Sequence, residues 1–475
     1  MNSGLDALAG SPAVAAVREA VGRRDDAWIV GGALRDALLG RPVVDVDLAV
    51  AGEEKAIARR IAGVAGGPAF PLSERFDTWR AESADRSWHV DVTSLRGESI
   101  ESDLAHRDFA VNAIAQPLDG GEPLDPYDGR GDAAGARLRV VSDHSFSDDP
   151  IRILRAARLA SGLGFEIETG TLELARRDSE LAAEPAGERQ FAELRGIVTG
   201  PDPLRGLALL DELGVTAVVL PELDALRGVE QNPYHHLDVH GHTLEVLRRW
   251  LEVERDVAGV VGAELAPEVE ALLDEPLADE LTRREGIRLA TLVHDLGKPP
   301  VRQVTGEGRV LFMGHDTAGV EIVREMCRRF RTSRRLSSHL ELLTLNHLRL
   351  GFLVHARPLS RREVYEYLRG TEPESVDLTL LTVADRLATQ GERTKQEAID
   401  AHLGLAREMI AEALEWRREG PPRSPIRGDE LASELGIEQG PDLGMLIEEI
   451  EAAVFARDVN TRDDAIALAR TIRDS

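Results

Sequence analysis

The sequence has a single cysteine, Cys327, so no disulfide can form within the chain. A lone thiol is typical of proteins from a reducing compartment. The chain also lacks any uninterrupted apolar run of the roughly eighteen residues that a membrane helix needs. Its first twenty residues lack the basic and then apolar pattern of a secretory signal. These absences exclude a membrane-spanning protein and predict a location in the cytoplasm.

Positive charge is scarce as well. The chain has 57 lysines and arginines against 84 aspartates and glutamates, a formal net charge of −27. Phosphate backbones would be repelled over most of such a surface, which excludes a protein that coats nucleic acid without specificity. A nucleic-acid site would have to be local. Arginines concentrate in segments 152–158 and 324–335, the second of which is equally typical of a solvated helix face.

The 475 residues allow about three domains. Apolar runs in AWIVGG, VVDVDLAV, SWHVDVTSL and LRVVS predict strands, with helical segments between them, so the chain begins as an α/β module. From Asp148 onward the apolar residues recur with helical periodicity. We therefore predict four regions: an α/β head at 1–145, a helical neck at 146–230, a further helical domain at 231–417 and a small helical tail at 418–475.

Asp45 and Asp47 stand two residues apart in the predicted strand VVDVDLAV. Side chains with this spacing leave the same face of a strand, so the carboxylates repel each other unless a cation such as Mg²⁺ lies between them. Taken alone, the pair is more often the polar face of an exposed edge strand. Upstream, however, IVGGALRDALLG predicts a strand, a Gly-Gly turn and a helix start, where backbone N–H groups can approach phosphate oxygens. Carboxylates beside a phosphate cradle indicate phosphoryl or nucleotidyl transfer.

The order of the motifs resembles a known family. The pattern G-G-x-x-R-D-x-x-L-G-x-x-x-x-D-x-D is followed by DLAHRDFAVNAIA, DPYDGRGD and DDPIRILRAARLASGLGF, and later by GERQFAELRGIV and a GPDLG tail. These blocks resemble the bacterial class II tRNA nucleotidyltransferases and their poly(A) polymerase relatives in the DNA polymerase β superfamily. The resemblance covers nearly the whole chain. It implies an α/β head of the polymerase β type, followed by an all-α neck and further helical domains.

The resemblance also implies roles for residues of the head. Asp45 and Asp47 would hold catalytic Mg²⁺ ions, which align an RNA 3′-hydroxyl on the α-phosphate of a nucleoside triphosphate. Asp91, in HVDVT, is a candidate third carboxylate, with a surface aspartate as the alternative. The matched nucleotide-binding positions are Gly31, Gly32, Arg35, Asp36, Arg107, Asp108 and Asn112, with His106 where the family usually has an arginine.

Asp149 and Arg152 are three residues apart and would share a face on a helix, either as a simple ion pair or as an acceptor beside a donor. Cytosine and adenine each present an exocyclic amine next to a ring nitrogen, which a carboxylate and a guanidinium match. Uracil and guanine reverse that order. The family motif E-D-x-x-R has this role, and it reads D-D-P-I-R here. Arg155 and Arg158 continue the stripe, either as phosphate or tRNA contacts or as a solvated face.

The connection between the segments VDVTSLR and DLAHRDF is short, with only GESIES between them. CCA-adding members of the family usually carry a longer flexible loop at this place. The short connection resembles CC-adding or other partial-activity members.

Histidines and aspartates of the helical half form a second constellation. HGHTLEVL contributes His240 and His242, LVHDLGK contributes His294 and Asp295, and TVADRLA contributes Asp385. The order resembles the HD phosphohydrolase superfamily and makes region 231–417 an HD domain. The resemblance implies a divalent transition metal on His242, His294, Asp295 and Asp385. His315 and His347 are weaker candidates for a second metal, since a lone histidine is more often a core or surface residue.

These features favour an enzyme, a template-independent nucleotidyltransferase that adds C, A or both to tRNA 3′ ends from CTP and ATP with Mg²⁺. Its HD domain would add a phosphohydrolase activity or serve as an RNA-binding body. The alternatives within the same chemistry are a poly(A) polymerase and a CC-only or A-only enzyme. The alternatives of other classes are an HD phosphohydrolase with a degenerate head and a non-catalytic tRNA-binding protein.

Overall fold

The computed structural model describes residue 8, residues 10–73 and residues 77–474. The first seven residues, on which the prediction of no secretory signal partly rests, lie outside the described residues. The chain divides into two compact units, Met1–Val219 and Leu220–Ser475. No helix in the described part of the chain is long and apolar enough to span a bilayer.

A six-stranded mixed sheet forms the centre of the first unit. Its strands are β1 (Ala27–Val30), β2 (Asp45–Val50), β3 (Ala69–Ser73), β4 (Thr78–Glu82), β5 (His89–Ser94) and β6 (Ala115–Pro117). They lie in the order β3-β4-β5-β2-β1-β6. Only β2 and β5 pair in parallel, while every other neighbouring pair is antiparallel. The sheet confirms the predicted α/β head.

Helices cover the sheet and complete its core. They are α1 (Pro12–Val21), α2 (Gly32–Leu38), α3 (Glu54–Ala65), α4 (Ile100–Ala105) and α5 (Gly129–Ala134), with a 3₁₀ turn at Ala110–Asn112. Ile57 and Ile61 on α3 pack with strand residues such as Ile29 and Leu48 in one buried cluster. Because side chains alternate along a strand, burying Val46 and Leu48 leaves Asp45 and Asp47 on the other face of β2.

The first unit continues as helices, as the periodicity from Asp148 predicts. These are α6 (Ser145–Asp148), α7 (Ile151–Leu163), α8 (Thr169–Arg177), α9 (Gly187–Val198), α10 (Pro203–Glu212) and α11 (Thr216–Val219), with a 3₁₀ turn at Ser179–Ala183. Helix α7 packs against both α9 and α10. Of the predicted strand LRVVS (138–142), only Leu138 lies in a strand, as the last residue of β7 (Arg137–Leu138), which pairs with β8 (Glu166–Ile167).

The second unit is helical apart from two short hairpins, β9 (Pro276–Ala278) with β10 (Leu281–Thr282) and β11 (Gln303–Val304) with β12 (Val310–Leu311). Its helices up to the first hairpin are α12 (Pro221–Asp224), α13 (Val239–Arg255), α14 (Val257–Val261) and α15 (Ala266–Leu273). Then follow α16 (Arg283–Val293), α17 (Lys298–Val301), α18 (His315–Phe330), α19 (Arg334–Asn346) and α20 (Arg349–Leu353). The last are α21 (Arg361–Thr371), α22 (Ser375–Ala388), α23 (Gln396–Glu419), α24 (Gly428–Leu435), α25 (Pro441–Ala456) and α26 (Arg462–Asp474).

Local sequence signals set several of these helix starts. Thr282 and Glu285 form a capping box at α16, and Ser360 and Glu363 form another at α21. The last three helices bury a cluster of their own, which includes Leu431, Leu446, Ile450 and Ala465.

At Gly129, the first residue of α5, the backbone closely approaches the 3₁₀ turn at Ala110–Asn112. A Cβ at this position would lie 2.1 Å from the carbonyl oxygen of Ala110. We expect Gly129→Ala to lower the free energy of unfolding by about 1–3 kcal/mol, since backbone must move to admit the methyl group.

Gly162→Ala is the matched control, because nothing lies within 4 Å of its Cβ. In helix α7 it should stabilise by about 0.5–1 kcal/mol. Denaturant unfolding of both variants measures the difference, and equal curves would contradict the expectation.

Candidate functional sites

A cavity of about 360 Å³ in the first unit collects most of the predicted nucleotide-binding residues. The predicted residues that line it are Gly31, Gly32, Arg35, Asp47, Arg107, Asp108, Asn112, Asp149, Arg152, Arg155 and Arg158. Asp36, Asp45 and Asp91 are not among its lining residues. Arg96 and Asp103 also line the cavity, although they were not predicted from the sequence.

The parallel pairing of β2 with β5 sets the carboxylates of the sheet side by side. Its register places Asp47 beside Asp91 and Asp45 beside His89. Burial, with the charges of Asp91 and Asp45, raises the pKa of the Asp47 carboxyl, while the Arg107 guanidinium acts in the opposite direction. Clustered carboxylates of this kind are stabilised by a cation, and an all-oxygen donor set fits Mg²⁺.

Two of these carboxylates already have partners. Asp45 Oδ1 lies 3.0 Å from His89 Nδ1. Both oxygens of Asp91 accept hydrogen bonds of 2.8 Å from Arg80, which stands opposite it on β4. The predicted third carboxylate is therefore bound to a guanidinium that the sequence analysis did not identify. Asp91 lies in the expected strand next to Asp47, but its side chain is committed to Arg80.

Gly31 explains why the turn after β1 needs glycine. Its φ is +74°, a conformation that side-chain-bearing residues rarely adopt. A Cβ would lie 2.7 Å from Asp47 Oδ2 and 2.8 Å from Arg107 Nη1. The turn therefore lies directly against a carboxylate and a guanidinium of the cavity, and any side chain would displace them.

A hydrogen-bond network centred on Asp108 joins the two sides of the cavity. Asp108 Oδ1 accepts from the Phe109 N–H at 2.8 Å and from Asn112 Nδ2 at 3.0 Å, and Oδ2 accepts from Arg155 Nη1 at 3.2 Å. Asn112 Oδ1 in turn accepts from Arg35 Nη1 at 2.8 Å. Burial acts to raise the pKa of Asp108, but the charge of Arg155 and these hydrogen bonds outweigh it and lower the pKa.

The expectation that Asp149 and Arg152 share a helical face was wrong. Asp149 is extended, with φ −150°, and precedes α7, because the following Pro150 disfavours helical backbone before it. The Asp149 carboxylate accepts two hydrogen bonds from Arg189 Nη2, at 3.1 and 2.9 Å. Arg152 donates instead to the carbonyl oxygens of His106 at 2.7 Å and Ser145 at 3.2 Å. Both side chains nevertheless line the same cavity.

Arg155 and Arg158 are held by a buried carboxylate of α9. Arg155 Nε donates to Glu193 Oε1 at 2.9 Å, and Arg158 Nε donates to Glu193 Oε2 at 2.5 Å. Glu193 is only 6% exposed. The stripe of arginines is therefore a fixed wall of the cavity and not a freely solvated face. Glu193 and Arg189 lie 35–40 residues from their partners in the sequence, so no short motif contains both members of a pair.

The second unit brings together the residues of the HD pattern. His242 lies on α13, His294 and Asp295 directly follow α16, and Asp385 lies on α22. His242 Nε2 lies 3.0 Å from Asp385 Oδ1 and 3.9 Å from Asp295 Oδ2. His294 Nε2 lies 3.2 Å from the same Asp295 oxygen. One possible ligand atom each from His242, His294 and Asp295 falls within 4.8 Å of the others.

His315 and His347 form a second group with Asp295. Their Nε2 atoms lie 3.4 and 3.7 Å from Asp295 Oδ1. Asp295 therefore offers one oxygen to each group. Gly297 makes the approach of α18 possible, since a Cβ there would lie 2.0 Å from the His315 carbonyl oxygen. His240 belongs to neither group, and its Nδ1 lies 3.5 Å from Arg227.

Backbone carbonyls orient three of these imidazoles. The Nδ1 atoms of His294, His315 and His347 lie 2.7–2.8 Å from the carbonyl oxygens three residues before them. A carbonyl only accepts, so each Nδ1 carries a proton, and the neutral form of each ring has its lone pair on Nε2. Burial, with the charges of His294 and His315, lowers the pKa of His347 to about 4, so this ring is neutral at physiological pH. Neutral imidazoles with carboxylates fit a divalent transition metal.

Three family patterns match the chain. Residues 27–139 match the poly A polymerase head domain, residues 164–227 match the probable RNA and SrmB-binding site of polymerase A, and residues 240–390 match the HD domain. The A-adding tRNA nucleotidyltransferase of Deinococcus radiodurans is 33% identical over 94% of this chain and 95% of its own length. The CC-adding tRNA nucleotidyltransferase of Thermus thermophilus is 33% identical over 93% of this chain and 92% of its own.

Solved structures show the same fold. The Thermotoga maritima CCA-adding enzyme complexed with tRNA superimposes with a TM-score of 0.57 over 99% of this chain and 98% of its own, at 20% identity. A CCA-adding enzyme in complex with CTP gives a TM-score of 0.60 over 99% of this chain and 95% of its own, also at 20% identity.

The shared position of Asp295 gives a prediction for metal content. We expect the protein loaded with Co²⁺ and then dialysed to retain two ions per chain in the second unit, because two ligand groups meet at this carboxylate. Asp295→Ala should lose both ions, while His347→Ala should lose one. Elemental analysis measures the content.

His240→Gln is the control for this experiment. It alters a buried histidine two residues before His242 that lies outside both ligand groups. Its metal content should equal that of the unaltered protein. A loss of metal from His240→Gln equal to that from His242→Gln would contradict the assignment of ligands.

Proposed function

This chain belongs to the tRNA nucleotidyltransferase family, and from that premise we propose that it extends tRNA 3′ ends without a template, using CTP, ATP or both. The observation that carries the proposal is the composition of one cavity. Asp47 and the Gly31–Gly32 turn lie on its lining together with Asp149 and Arg152, so a reactive centre and a base-reading pair share one chamber.

We infer that Asp45 and Asp47 hold Mg²⁺, for which their oxygen donors are suited. When bound, the metal neutralises charge on the triphosphate and on the attacking oxygen. In the reaction the RNA 3′-hydroxyl attacks the α-phosphorus, a new phosphodiester forms, the α–β bridge bond breaks and pyrophosphate leaves. The hydroxyl proton passes to solvent. Arg35, Arg107 and Arg155, which neighbouring carboxylates hold in place, would donate hydrogen bonds to the triphosphate.

We propose that Asp149 and Arg152 select the base of the incoming nucleotide. Arg189 holds both oxygens of Asp149, which fixes the direction of the carboxylate and leaves lone pairs for an exocyclic amine. The described residues include no hydrogen-bond partner for Arg152 Nε, which can donate to a ring nitrogen. Cytosine and adenine suit this pair, whereas uracil and guanine would leave buried polar groups unpaired.

The geometry favours addition of only a part of the CCA sequence. β5 ends at Ser94 and α4 begins at Ile100, so five residues connect them. A connection this short gives the cavity little freedom to change shape between a pyrimidine and a purine. Two relatives that cover more than 90% of both chains, an A-adding and a CC-adding enzyme, are named for only a part of CCA addition. We therefore propose that a second enzyme completes the end.

The two ligand groups of the second unit, His242, His294 and Asp295 and then Asp295, His315 and His347, are together called the HD cluster. We propose that the HD cluster has a second activity, the metal-dependent hydrolysis of phosphoesters. The shared carboxylate of Asp295 and the carbonyl-oriented imidazoles of His294, His315 and His347 support it. Divalent metals at this place would activate water as a nucleophile. Lys298 Nζ lies 2.6 Å from Asp295 Oδ2 and supplies positive charge beside the cluster.

We propose that residues 1–145, 146–230, 231–417 and 418–475 form the head, the neck, the HD domain and the tail. We also propose a cytoplasmic location, where tRNA 3′ ends are maintained and where a buried, unpaired Cys327 remains reduced.

The transfer activity is tested with tRNA transcripts ending at the discriminator base, at C and at CC. Each is incubated with Mg²⁺ and with CTP, ATP or both, and the products are resolved to single nucleotides. We expect extension of one class of substrate, with Asp47→Asn reducing it by about 100-fold or more. Asp85→Asn, which alters an exposed carboxylate of the same unit, should leave it unchanged. Long A tails would instead identify a poly(A) polymerase, and no incorporation would remove the proposal.

Hydrolysis is tested separately with p-nitrophenyl phosphate and bis(p-nitrophenyl) phosphate in the presence of Co²⁺, Ni²⁺ or Mn²⁺. Asp295→Ala should abolish release of nitrophenol and leave nucleotide incorporation intact, while Asp47→Asn should do the reverse, because the two groups of residues lie in different units. If the Asp295→Ala protein still hydrolyses either compound, the activity belongs elsewhere.

A further inference from the structure

A cavity of about 430 Å³ opens next to the HD cluster. Its lining includes His347 from one ligand group and Asp385, which is hydrogen-bonded to His242 of the other. The cavity therefore borders both proposed metal positions. Its volume is in the range of small-molecule sites.

Three cations line this cavity, and we call Arg386, Arg393 and Lys395 the basic pocket. Within the described residues none of the three forms an ion pair, and the buried Nε of Arg386 makes no hydrogen bond. Other arginines of the same unit are paired with carboxylates: Arg357 with Glu408, Arg361 with Glu412, Arg362 with Glu449 and Arg417 with Glu275. In a chain of net charge −27, uncompensated cations on one cavity wall are a specific feature.

The loop that carries Arg393 and Lys395 is fixed in place. Gly391 N donates to the Tyr234 carbonyl at 2.7 Å, and Thr394 Oγ1 donates to the same oxygen at 3.1 Å. Arg393 N donates to the Pro233 carbonyl at 3.3 Å. Gly391 permits this approach, since a Cβ there would lie 2.2 Å from the Tyr234 carbonyl carbon. The backbone bearing the two cations is therefore held before any ligand binds.

The charge of the cavity points to a doubly negative group. Three cations face one carboxylate, Asp385, which already accepts a hydrogen bond from His242 at 3.0 Å. Burial lowers the pKa of His402 to about 4, so this lining histidine adds no charge at neutral pH. The remaining charge of about +2 matches a phosphate dianion, which guanidinium and ammonium groups bind with charge-assisted hydrogen bonds.

We propose that the basic pocket binds a second phosphate of the HD substrate, so that the preferred substrate is a nucleoside carrying two separate phosphate groups. One phosphate would lie at the metal ligands for hydrolysis while the basic pocket holds the other. Tyr234, 49% exposed on the same lining, offers a face for the base. The inference rests on the proposed hydrolytic function of the HD cluster.

The test compares adenosine 3′,5′-bisphosphate with adenosine 3′-monophosphate as substrates of the full chain with Co²⁺. The double variant Arg393→Gln/Lys395→Gln should raise KM for the bisphosphate about tenfold or more, with kcat nearly unchanged. Its KM for the monophosphate should not change. The variant Arg417→Gln/Arg418→Gln removes the same charge from exposed, ion-paired positions of the same unit and should behave as the unaltered protein.

Calorimetric binding of the bisphosphate to chelator-treated protein separates the two proposals. If neither compound is hydrolysed but Arg393→Gln/Lys395→Gln still weakens binding relative to Arg417→Gln/Arg418→Gln, the basic pocket stands and the hydrolytic function fails. Equal KM values and equal binding in both variants overturn the basic pocket.

Transfer RNA is the competing occupant of these cations. We expect Arg393→Gln/Lys395→Gln to leave tRNA affinity unchanged. A tenfold loss of tRNA affinity without an effect on the bisphosphate would assign the cations to RNA and overturn the proposal.

Discussion

The carboxylate of Asp108 is the contact on which the first unit depends. On one side it binds the amide of Asn112, which accepts from Arg35 on the helix after the Gly31–Gly32 turn. On the other side it binds Arg155 of α7, whose guanidinium continues to Glu193 on α9. A buried carboxylate without these donors would be costly, so the sheet and the helices must keep their separation for the network to remain satisfied. The network therefore links the α/β region to the following helices within one compact unit.

The protein places two sets of possible metal ligands, of different chemical type, in its two units. The first unit offers carboxylates on a strand, and burial leaves Asp47 with a raised pKa that a hard cation would counter. The second offers imidazoles, and burial is the main cause that lowers the pKa of one of them, His347, to about 4. Oxygen donors and neutral nitrogen donors select different metals. Each unit can therefore hold its own ion while both are exposed to the same mixture.

How much the sequence predicted depended on how local each interaction is. Strand β2, with its aspartates, and the glycine turn were predicted because period-two alternation and turn chemistry act within a few residues. His242, His294, Asp295 and Asp385 were predicted because each lies in a short motif and the order of these motifs matches the HD pattern. The pairing of Arg80 with Asp91 was missed, since it depends on the register of β4 against β5. Arg189 and Glu193 were missed because their partners lie 35–40 residues away in the sequence and are brought to them only by the packing of helices. The strands β9 to β12, of two or three residues each, are too short to show a period.

The three carbonyl contacts that orient His294, His315 and His347 have a consequence for how the HD cluster acquires metal. Each contact reaches three residues back along the chain, so the same turn of backbone that presents the imidazole also decides which nitrogen is protonated. The side-chain freedom of these ligands is given up during folding and not at the moment of coordination. An incoming ion would therefore meet imidazoles that are already oriented, and their ordering would add little to the free-energy cost of coordination.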